Sequence, residues 1–85
     1  MKSVEEIQRR LKDIRESNNW SYFTDTEAGY LELAIKYIDN EWYLEHLVRK
    51  YSFDIEENEA ILKALKWVLD KDWTNSINYK YIVVK

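Results

Sequence analysis

The chain has no cysteine, no proline, one glycine and one histidine among its 85 residues. Without cysteine there is no disulfide framework, and a lone His46 cannot assemble the usual Cys/His ligand set of a structural zinc site. No Pro- or Gly-rich linker, internal repeat or low-complexity stretch divides the sequence, which therefore reads as one compact domain over residues 1–85. Long apolar runs are missing too. The uninterrupted ones are only a few residues, such as Trp42 to Leu44 and Trp67 to Leu69, so nothing is expected to span a membrane. The charge-dense start MKSVEEIQRRLKD lacks the apolar centre of a signal peptide. By elimination the expected compartment is cytoplasmic.

What is present is 46% hydrophobic and 34% charged residues, the balance of an ordered globular chain rather than a disordered one. Four Trp and seven Tyr are more aromatic surface than so small a core is expected to hide, so some of it should meet a partner. The net charge of −3 is unevenly spread. Residues 17–48 carry Lys36 against Asp25, Glu27, Glu32, Asp39, Glu41 and Glu45, and the segments on either side are close to neutral or mildly basic. Only Arg9, Arg10, Lys12 and Arg15 cluster as cations, a thin footprint for nucleic acid, whose binding draws on many phosphate contacts.

Apolar spacing and caps predict a mainly α fold of four helices, at about 4–17, 25–38, 41–50 and 55–71. Ser3 with Glu6 forms a capping box ahead of the stripe Val4, Ile7, Leu11, Ile14. Thr24 with Glu27 repeats that box, Phe23 is placed to staple against Ala28, and Ala28, Leu31, Ala34, Ile35 and Ile38 share a face from which Glu27 and Glu32 fall away. The register breaks at Asp39-Asn40, which predicts a separate third helix capped by Asn40. Asp54 with Glu57 caps the fourth, whose Leu62, Leu65, Val68 and Leu69 with small Ala60 and Ala64 mark it as central. Gly29, inside the second helix, reads as a tolerated cost rather than a close helix contact. Residues 20–23 and 79–84 have the aromatic and β-branched content of strands, predicting a short two-stranded sheet, and an uncovered terminal strand there offers a route to a homodimer.

Chemistry is sparse. His46 has no Ser or Asp at helical spacing to complete a nucleophilic arrangement, and the carboxylate pairs Asp54/Glu57 and Glu41/Glu45 sit in a chain too short for a deep cleft. The run 54–59 lacks the ligand alternation and central Gly of a calcium loop. No cofactor, metal or enzymatic activity is expected. The distinctive feature is the acidic, aromatic middle: Tyr30, Glu32, Tyr37, Asp39, Glu41, Trp42, Tyr43 and Glu45. Tyr and Trp give rigid contact area and carboxylates steer a basic partner, so the expectation is a small protein-binding module of the inhibitor, antitoxin or immunity type that occludes a basic protein surface. The bland reading is that each aromatic spans core and water with its polar tip exposed. The alternatives are a helix-turn-helix-like DNA-binding regulator, disfavoured by the acidic residues of the third helix, and a self-assembling structural protein joined through residues 79–84.

Overall fold

The computed structural model describes residues 1–17 and 20–70. These form helices α1 (Val4–Glu16), α2 (Tyr22–Lys36), α3 (Glu41–Tyr51) and α4 (Glu59–Leu69), with a 3-10 turn, Ser52–Asp54, directly after α3. The mainly helical expectation therefore holds across the described residues.

Local signals fix most helix ends. Ser3 Oγ accepts from the Glu6 amide (3.2 Å) and Glu6 Oε1 accepts from the Ser3 amide (3.4 Å), so both halves of the expected box close and α1 starts where predicted. Asn40 Oδ1 accepts from the Tyr43 amide at 3.1 Å and starts α3, separated from α2 by a turn through Tyr37–Asp39. Helices α2 and α3 are thus separate helices, as the register break at Asp39-Asn40 predicts.

Two helix starts differ from expectation, and α2 ends at Lys36, two residues before the predicted end. Residues 22 and 23 are the first turn of α2 and not part of a strand. Ser21 Oγ accepts from the Thr24 amide (3.3 Å) while Thr24 Oγ1 accepts from the Ser21 amide (2.8 Å), a reciprocal cap three residues ahead of the predicted one. Thr24 is thereby used as the third helical residue, and Glu27 is released from capping. No strand occurs among the described residues, and the second predicted strand, 79–84, lies outside them. The other difference is the start of α4. The predicted contact from the Glu57 amide to Asp54 Oδ1 forms at 3.1 Å, but it closes a turn over residues 55–58. Asn58, at φ −105° and ψ 24°, is out of helical geometry, and its Nδ2 donates to the Tyr51 carbonyl at 3.2 Å, satisfying an orphan acceptor at the end of α3. Helix α4 therefore spans only Glu59–Leu69 and is closed by Asp70, in the left-handed region at φ 52°.

The core joins all four helices. Ile7, Leu11 and Ile14 of α1 are buried with Leu31 and Ala34 of α2, Leu44 and Val48 of α3, and Leu62, Leu65, Val68 and Leu69 of α4. Helix α4 packs on both α2 and α3, and α1 lies along α2, so α4 is central as its apolar face predicts. The Lys2 amide donates to the Val68 carbonyl at 2.7 Å and ties the start of α1 to the end of α4. A Cβ built on Gly29 meets nothing within 4 Å, so this glycine serves no close helix contact.

Glu27 departs from its expected place on the polar face. It is buried, with 3% of its surface exposed, and its Oε2 accepts from Arg10 Nη2 of α1 at 2.9 Å. Lys63 Nζ of α4 approaches its other oxygen at 4.0 Å. One carboxylate thus links three helices, and the two cations explain how a charge is kept inside so small a core.

Candidate protein-binding surface

The fold divides the eight candidate residues into groups with different roles. Two pairs of tyrosines bridge α2, the turn after it and α3. Near the turn, the Tyr37 and Tyr43 rings lie 4.6 Å apart, and further along Tyr30 and Tyr51 meet edge to face at 5.8 Å. The two hydroxyls of the second pair share a 3.0 Å hydrogen bond. That bond and partial burial hold the Tyr30 phenol up at about 12, because both disfavour its ionised form. All four rings pack on the core. Tyr30, Tyr37 and Tyr43 are thus half-buried, each with part of its ring packed on the core and part left accessible.

Glu32 belongs to a different contact. It pairs with Arg15 across the α1/α2 interface, on the wall of an open groove that also includes Leu11, Lys12 and Ile35. Arg10 is engaged with Glu27, so two of the four clustered N-terminal cations are neutralised by the acidic span itself. That leaves Arg9 and Lys12 as the exposed remainder of the cluster, fewer phosphate contacts than the sequence alone allows.

The remaining four residues cluster at the α2–α3 turn and along α3. Asp39 and Glu41 are exposed beside the start of the helix, and Glu45 is half-buried with its Oε1 3.7 Å from Arg49 Nη2. Trp42 is 70% exposed. Its indole stacks on the exposed His46 one turn later, ring centres 5.6 Å apart and planes within 11°. This is the geometric content of His46, a surface histidine held against an aromatic ring.

Sequence reasoning missed Phe53, which is 64% exposed in the 3-10 turn that continues α3, and Ile55 just beyond it. At about 100° per residue, Trp42, His46 and Arg49 fall within about 60° of one another, opposite the buried Leu44, Leu47 and Val48, and Phe53 follows two residues past the end of α3 in the 3-10 turn. The signal was available in the spacing i, i+4, i+7, i+11. Helices predicted over 41–50 and 55–71 leave residue 53 between them, which hides that continuity. Among the described residues no group of three or more His, Asp or Glu side chains converges as a metal site, and no helix is long and apolar enough to cross a membrane. Comparison with protein-family models, curated proteins and solved structures gives no significant match.

Proposed function

We propose that this chain is a small protein-binding module that acts by covering a basic surface of another protein, the mode of action of an inhibitor, antitoxin or immunity-type protein. The observation that carries the reading is Trp42, a large aromatic side chain 70% exposed on the side of α3 facing away from the core, with Asp39 and Glu41 exposed beside it. A ring left mostly in water contributes little to the fold by burial, whereas desolvated at an interface it is among the side chains most enriched at binding hot spots. The neighbouring carboxylates supply steering and register. On this reading the protein needs no cofactor and performs no chemistry.

Capture from a lysate of the encoding cell at about 150 mM salt, where charges separated by more than about 8 Å are largely screened, tests it. One protein retained stoichiometrically by the native chain and by a Trp20→Ala control, and lost in Trp42→Ala, is the expected result. Recovery of nucleic acid alone, or of no protein in any arm, refutes the reading.

A further inference from the structure

The exposed stripe on α3 has a shape and a charge pattern that together specify the segment it receives. Eleven residues separate Trp42 from Phe53, about 17 Å along the axis at about 1.5 Å per residue, or three helical turns. Residues 39–59 hold seven acidic side chains against Arg49 and Lys50, and Arg49 is itself paired with Glu45. The acidic groups gather at both ends of the stripe, with Asp39 and Glu41 before it and Asp54, Glu56 and Glu57 after it.

We propose that the outer face of α3 and its 3-10 extension docks a basic amphipathic helix of a partner protein, with apolar anchors over Trp42, His46 and Phe53 and cations over the two acidic ends. The inference rests on the protein-binding reading and names the partner's local chemistry. The helix follows from backbone accounting. The amides and carbonyls along α3 are committed to its own hydrogen bonds, and no strand edge exists among the described residues, so an extended segment laid on this face gains no backbone hydrogen bonds from it. A helix satisfies its backbone internally and packs its ridges between those of α3. A second copy of this chain is the less suitable occupant, because it would bring two strongly acidic surfaces into contact.

Three synthetic peptides of about eighteen residues, long enough to form isolated helices, test this against the uniformly 15N-labelled full chain in 150 mM NaCl. The first has Leu at helical spacing and Lys elsewhere, the second replaces Lys with Glu, and the third keeps the Leu/Lys composition but alternates it at strand spacing. The expected result is binding of the first alone, with amide shift changes concentrated over residues 41–57. Binding should weaken about tenfold or more in Trp42→Ala/Phe53→Ala and measurably in Asp39→Lys/Glu41→Lys. All four side chains are exposed, and circular dichroism of each variant verifies the fold. No binding of the first peptide, equal binding of either control, shifts centred elsewhere, or concentration-dependent self-association abolished by the same double variant each overturns the inference. A protein captured from lysate and lost in Trp42→Ala, but indifferent to Phe53→Ala and to Asp39→Lys/Glu41→Lys, overturns it while leaving the protein-binding reading intact, whereas failure to capture any protein removes that reading itself.

Discussion

Removing Arg10 should cost more stability than neutralising the residue it pairs with, although the two share one bond. The asymmetry comes from exposure: Glu27 is 3% exposed, while the Arg10 and Lys63 side chains are 36% and 51% exposed. At 2.9 Å and an effective dielectric constant of about 20, the gross attraction is about 6 kcal/mol, most of which offsets the desolvation of the carboxylate. Arg10→Ala leaves that carboxylate in the core with only Lys63 at 4.0 Å, so the expected loss is about 3 kcal/mol, the low end of the range for breaking a buried pair. Glu27→Gln keeps an oxygen facing Arg10, and the cation can turn toward water, so about 1–2 kcal/mol is expected. Arg10→Ala/Glu27→Met removes both charges and should be more stable than Arg10→Ala alone. Urea unfolding followed by circular dichroism measures all three; Trp fluorescence is the poorer probe because the Arg10 guanidinium lies 5.5 Å from the Trp67 ring. For a chain of 85 residues the total stability is about 4–13 kcal/mol, so the loss is readily resolved. An Arg10→Ala variant losing less than about 1 kcal/mol, or one no less stable than Glu27→Gln, refutes the reasoning, because Glu27 would then be reaching water by another route.

The other structural features yield smaller effects. Gly29→Ala should stabilise by about 0.5–1 kcal/mol, raising the melting temperature by several degrees, since the new methyl group meets nothing and the unfolded chain loses freedom; a decrease places an unrecognised contact there. Ser21→Ala should cost about 1 kcal/mol by opening the α2 cap, with no loss expected if the helix instead began at Asp25. Tyr51→Phe removes the hydroxyl partner of Tyr30 and should bring its titration from about 12 toward 10, followed by phenolate absorbance at 295 nm. Because folding raises this phenol, its contribution to stability is complete below pH 10 and is lost as pH climbs from 10 toward 12; an unchanged alkaline titration in the variant refutes the pairing.

Helix ends set by neighbours three residues apart were legible, as Ser3 with Glu6 and Asn40 with Tyr43 illustrate. Ser21 with Thr24 uses the same geometry but was hidden, because a threonine replaces the acidic partner of the familiar box and the aromatic run Trp20–Phe23 suggests a strand. Glu27 was illegible for a different reason. A carboxylate on a helix reads as solvent-facing until its cations are placed, and these come from positions 17 residues before it and 36 residues after it. The tyrosine pairs were hidden by the same distance in sequence: the spacing shows single aromatic residues, while the fold brings Tyr37 onto Tyr43 and Tyr30 onto Tyr51.

These long-range pairings also relocate the charge on which the functional reading depends. Along the sequence, the basic N-terminal segment and the acidic middle appear as two separate fields. In the fold, Arg10 meets Glu27 and Arg15 meets Glu32, so the α1/α2 interface cancels much of both. The acidic excess that remains is concentrated along 39–59, around the helix that also exposes Trp42 and Phe53. Steering depends on the unbalanced local field rather than on net charge. On the proposed reading, a basic partner is steered toward the outer face of α3 rather than toward α2, which carries Tyr30 and Glu32. Raising ionic strength should slow association at that face more than it speeds dissociation, because exposed carboxylates act mainly during approach while the desolvated aromatic rings hold the complex.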